Sequence, residues 1–141
     1  MKRNLLIAIV ALIIGLQFLF SCSDGLSIKT MQYASNGQKL YGVHCQNCHG
    51  EKGEGLAALY PPLTDASFLN ENRSKLACMI RYGMEGEIEV DERIFNEKMP
   101  ANASINSLDM AYILTYISTY FGDSKTHFTK EEVESFLENC Q

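Results

Sequence analysis

Cys45-Gln46-Asn47-Cys48-His49 constrains this chain more than any other stretch. Two cysteines three positions apart, with a histidine directly after the second, suit few chemistries. A structural zinc site needs a second pair of ligands, and the other histidines, His44 and His127, show no paired spacing. A dithiol redox pair is expected beside a βαβ unit, a pattern this sequence lacks. The remaining chemistry is covalent attachment of haem. The thiols add across its two vinyl groups, and the adjacent imidazole ligates the iron. The spacing therefore predicts one haem c, with Cys45 and Cys48 as its thioether links and His49 as an axial ligand.

The first residues carry a different signal. Lys2 and Arg3 precede an apolar run, Leu5 to Phe20, broken only by Gly15 and Gln17, and Ser21, Cys22 and Ser23 follow. This order reads as a secretory signal over residues 1–21. As a helix the run would reach about 24 Å, short of the ~30 Å hydrocarbon core. Leu19-Phe20-Ser21-Cys22 resembles the lipobox of bacterial lipoproteins. That resemblance implies lipid on Cys22 and a tether over residues 22–30, on the periplasmic side of a bacterial membrane.

The chain holds five cysteines. With Cys22 assigned to lipid and Cys45 and Cys48 to haem, Cys78 and Cys140 remain as one expected disulfide, which an oxidising compartment permits.

The rest of the sequence predicts an all-α domain. Leu40, Tyr41 and His44 recur at helical spacing in a helix from Tyr33 to about Cys45, despite Gly37 in its interior. Gly50, Gly53, Gly55, Pro61 and Pro62 mark a long irregular loop. Asn72 or Ser74 could cap a helix through Leu76, Met79 and Ile80 that ends at Gly83. Ile88-Glu89-Val90 is at most one arm of a hairpin. Asn106 or Ser107 starts the strongest helix, which runs to about Phe121 and stops at Gly122. Thr129 begins a last short helix whose Glu131 and Glu132 suit a helix N-terminus, with Val133, Phe136 and Leu137 facing inward.

A second axial ligand must come from elsewhere. Met31, Met79, Met84, Met99, Met110, His44 and His127 are the candidates. His44 lies too close to the motif to reach the far haem face, and Met79 and Met110 sit in helices where core packing explains them. Met99 lies in a loop before Pro100, far enough along for the chain to wrap the haem, and is the expected ligand. Met84, between Gly83 and Gly86, is second.

Cys45 to Gly50, Tyr60-Pro61-Pro62-Leu63, and Phe95 to Pro100 followed by Leu108 to Ile117 resemble a class I cytochrome c of the bacterial lipoprotein type. The resemblance spans residues 31–122 and implies the cytochrome c fold, with residues 123–141 as a helical extension. It also implies that Pro61 or Pro62, with Pro62 favoured, offers its carbonyl to Nδ1–H of His49, and that Gly37 meets Tyr116 where two helices cross. Leu56, Leu59, Tyr60, Leu63, Phe68 and Phe95 are the apolar residues expected around the haem.

A His/Met pair leaves no open iron site, so the expected role is one-electron transfer between redox protein partners, without catalysis or a small-molecule substrate. This describes either a membrane-tethered shuttle or an electron-entry or exit subunit of an exported dehydrogenase or oxidase complex. Net charge is −5, which excludes an electrostatic nucleic-acid binder. Loss of residues 1–21 would remove Lys2 and Arg3 and take the charge to −7.

Overall fold

The computed structural model describes residue 4 and residues 25–140. The expected signal (residues 1–21), apart from residue 4, and Cys22 lie outside the described residues. Helix α1 spans Ile28–His44, because the Ser27 hydroxyl accepts from the Thr30 N–H at 3.0 Å and Thr30 is itself buried. The last three residues of the expected tether over residues 22–30 belong to this helix. Helix α2, Gln46–His49, is the single turn of the cysteine motif.

Two short helices follow. Helix α3, Ala66–Glu71, falls in the expected loop and begins where Asp65 Oδ1 accepts from Phe68 N–H at 3.1 Å. Helix α4, Leu76–Tyr82, has Lys75 at its N-cap with no side-chain hydrogen bond, and Gly83 closes it. Neither Asn72 nor Ser74 caps it, since Asn72 instead donates from Nδ2 to the Phe68 carbonyl and finishes α3.

Strands β1 (Ile88–Val90) and β2 (Arg93–Phe95) form a hairpin with Ile88 opposite Phe95 and Val90 opposite Arg93. Its turn residues, Asp91 and Glu92, have φ of 54° and 58°, the left-handed pair of a type I′ turn. Asp65 holds this turn through Oδ2, which accepts from the Asp91 N–H at 3.1 Å.

Helix α5, Ser107–Tyr116, starts where Asn106 Oδ1 accepts from the N–H groups of Leu108 and Asp109, each at 3.0 Å. It continues as a π-helical turn, Ile117–Phe121, in which Gly122 N–H reaches the Ile117 carbonyl at 3.1 Å. Thr119 Oγ donates to the Thr115 carbonyl at 2.7 Å. Helix α6, Lys130–Glu138, opens with a complete capping box between Thr129 and Glu132.

The frame is the crossing of α1 over α5. A Cβ on Gly37 would overlap the Tyr112 carbonyl and stand 2.8 Å from Tyr116 Cβ, so only glycine permits this approach. Tyr41, Met110, Ile113 and Leu114 fill the core beside it. The extension joins the same core, with Phe128 and Val133 at 0% exposure. Arg73 lies 3.6 Å from the Phe128 ring centroid and pairs with Glu132 at 3.0 Å. The sulfurs of Cys78 and Cys140 are at disulfide distance, with Cα atoms 5.6 Å apart, so α6 is held to α4 at its far end.

Candidate haem site

Cys45 ends α1, and the motif turns at once: the N–H groups of Cys48 and His49 reach the Cys45 carbonyl at 3.1 and 3.0 Å. Both cysteines are half-buried and the His49 ring is buried. The loop after the motif then folds back onto it. Gly55 N–H meets the His49 carbonyl at 2.8 Å, and Leu63 N–H meets the Gly53 carbonyl at 2.7 Å. Leu56 N–H takes the Tyr60 carbonyl at 3.1 Å, which leaves the next carbonyl, that of Pro61, facing His49. His49 Nδ1 donates to it at 3.1 Å. The favoured Pro62 is therefore corrected to Pro61: with the Tyr60 carbonyl occupied, Pro61 presents the oxygen and Pro62 lines the cleft.

This bond fixes the ring and leaves Nε2 to face a ligand. Burial lowers the basicity of His49 below the ordinary histidine value, and the Pro61 carbonyl partly opposes that shift. The ring is thus held neutral, the form a metal requires. Burial pushes the Cys45 thiol up to about 11, with Cys48 adding to the shift. Tyr41 supports the motif from beneath, its hydroxyl donating to the Gly50 carbonyl at 2.6 Å. Burial, foremost, holds that phenol well above its usual range, so it remains a neutral donor.

Further along, the chain returns to His49. A cleft opens between the two segments. Cys45 and His49 stand on one side, Met99, Met84 and Met79 also reach it, and Leu63, Phe68, Leu114 and Ile117 supply apolar wall. Cys48, Pro100, Ala101 and Asn102 frame an adjoining opening shared with Cys45, His49 and Met99. Of the expected wall residues, Leu63 and Phe68 take part. Leu56 and Leu59 are half exposed, while Phe95 is buried behind the hairpin. The wall gains Leu69, Leu76, Ile88 and Val90, which come from α3, α4 and β1.

The remaining ligand candidates separate by position. Met110 is fully buried in the core, and Met31 is exposed on α1. His127 packs on Tyr33, with ring centroids 4.9 Å apart. His44 reaches only the rim, where Asn102 Nδ2 lies 3.4 Å from its Nδ1. Met99 is paired to Met84 through two backbone bonds of 3.0 Å, and Gly83, with φ of 76°, lies directly against the Met99 carbonyl.

The sequence model of the family described as Cytochrome c matches residues 34–120. This chain belongs to the cytochrome c family. It is also similar to cytochrome c-552 of Thermus thermophilus, at 33% identity over 109 residues, covering 71% of this chain and 82% of that protein. A second cytochrome c-552, from another strain of Thermus thermophilus, is 33% identical over the same length and is covered to 73%. Cytochromes of this family bind haem c covalently and are electron carriers rather than enzymes. The residues here fit that group: two thiols, a buried imidazole anchored through Nδ1, and an apolar cleft with thioethers in its lining. No described helix is long and apolar enough to cross a membrane.

Proposed function

We propose that this cytochrome is an exported one-electron shuttle, tethered through lipid on Cys22 to the periplasmic side of a bacterial membrane. His49 and Met99 would ligate the iron, and Cys45 and Cys48 would hold the haem through thioether links. The observation that carries the reading is the convergence of Cys45, His49 and Met99 on one apolar cleft. When bound, the haem supplies a one-electron couple. A thioether opposite an imidazole favours its reduced state and leaves no position for substrate.

The residues supply the rest. Pro61 orients His49, the Met84 pairing holds the Met99 backbone, and the apolar wall excludes water and favours the less charged, reduced site. The Cys78–Cys140 bridge forms after export and ties the extension to the domain, as the close approach of the two sulfurs supports. The acidic surface suits a redox partner that is basic or uncharged where it docks.

Membrane fractionation of the full chain and of Cys22→Ser, each with a potentiometric titration, tests the proposal. A reversible one-electron couple in both, with only the parent in the membrane fraction, is expected. Equal release of both proteins would refute the lipid tether, and a couple that is absent or irreversible would refute the shuttle.

A further inference from the structure

Met84 and Met99 are directly opposed across an isolated antiparallel bridge. Each N–H reaches the other's carbonyl at 3.0 Å, so they form a hydrogen-bonded pair. Residues in such a pair project to the same face, with Cβ atoms about 4.5–5.5 Å apart. Both side chains accordingly line the cleft that His49 enters. Met84 is thus a second soft, flexible thioether on the same cleft as Met99.

The backbone around Met84 differs from that of the third methionine. Met79 is fixed in α4. Met84 lies between Gly83 and Gly86, whose φ values are 76° and 94°. A Cβ on Gly86 would meet nothing within 4 Å, so this side of the segment has space to move. The Met side chain has three rotatable bonds and a soft sulfur, which suits it to span a few ångströms.

We propose that Met84 is a reserve axial ligand, taking the iron position opposite His49 whenever Met99 is not on it. The inference rests on the reading of Met99 as the resident ligand. In the exchange one iron–sulfur bond breaks and another forms. Both ligands are neutral thioethers, so no electron or proton moves and the iron keeps its charge. The site thus stays closed to water and to small oxidants during loss of Met99.

The test uses haem-loaded full-length protein as parent, Met99→Leu, Met84→Leu and the double variant, all checked for helical content. Leu is close to Met in volume, so the cleft stays filled. The readouts are the ferric Met–iron charge-transfer band and affinity for added imidazole. Parent and Met84→Leu are expected to share one band. Met99→Leu is expected to keep a band at a shifted position and to bind imidazole at least tenfold more weakly than the double variant, which has no band. A Met99→Leu protein as bandless and as open to imidazole as the double variant would overturn the reserve role. A band lost in Met84→Leu but unchanged in Met99→Leu would instead overturn Met99 as the resident ligand. A band surviving in the double variant would overturn both.

Discussion

Replacement of Gly83 by alanine addresses the hold on Met99 directly. Gly83 has φ of 76° and ψ of −174°, a region essentially reserved for glycine, so a side chain there costs about 1–3 kcal/mol in backbone strain. The new Cβ would also overlap the Met99 carbonyl and stand 2.8 Å from the Ala101 nitrogen. Overpacking of this kind costs a further ~1–3 kcal/mol. If the segment stays in place, stability falls by roughly 2–6 kcal/mol, and the midpoint by about 8 °C or more for a domain of this size. If the segment yields, the Met84–Met99 pairing opens, and the loss appears as a weakened Met–iron band with a smaller change in midpoint. Thermal unfolding and the ferric spectrum together separate these outcomes. Gly86→Ala is the control. It carries a similar φ of 94° with open space around the new methyl, so it should lose stability modestly and keep the band. A Gly83→Ala protein matching the parent in both measurements would refute the claim that this glycine holds the ligand loop.

Gly37→Ala gains ~1 kcal/mol of helix propensity but forces α1 and α5 apart at the Tyr112 carbonyl, so thermal unfolding should show a lower midpoint. Opening the Cys78–Cys140 bridge, with its separation of 62 residues, should cost up to ~4 kcal/mol, read as a shift in denaturant midpoint on adding a reductant. Asp65→Ala removes the cap of α3 and the brace on the hairpin turn, with an expected loss of ~1–2 kcal/mol in urea unfolding. Electron exchange with an acidic redox protein should accelerate as salt is added; acceleration at low salt would contradict the docking proposal.

The elements that were legible in the sequence depend on short-range chemistry. Asn106 and the Thr129–Glu132 box mark helix starts through side-chain oxygens within three residues of their donors. A helix-interior glycine needs a reason, so Gly37 pointed to a close helix contact, and the family resemblance supplied Tyr116 as its partner. Helix α3 was not legible, since six residues hold too few turns for periodicity to emerge, and the helix depends on Asp65 and on the packing of Leu69. The early start of α1 escaped for a similar reason: Thr30 is buried by tertiary packing, which its polarity does not announce. At the site, Cys45, Cys48, His49 and Met99 stand out by residue type, and the fold brings all four to one opening. The choice between Pro61 and Pro62 was not legible, because it turns on how the folded-back loop aims each carbonyl, which residue type does not announce. Leu56 and Leu59 misled as wall residues, since a loop can turn an apolar side chain outward without any periodic signature.

The π-helical turn after α5 sets a register as well as a shape. Phe121 leaves it pressed on Gly53, where an added Cβ would stand 2.7 Å from the ring. Gly53 in turn offers its carbonyl to Leu63, in the loop that seats His49. Adding one residue to α5 ahead of this turn would rotate everything after it by about 100°. Phe121 would swing off Gly53 and loosen the histidine's loop from behind. In this cytochrome, then, the length of the C-terminal helix is counted out against the cofactor motif near the other end of the domain.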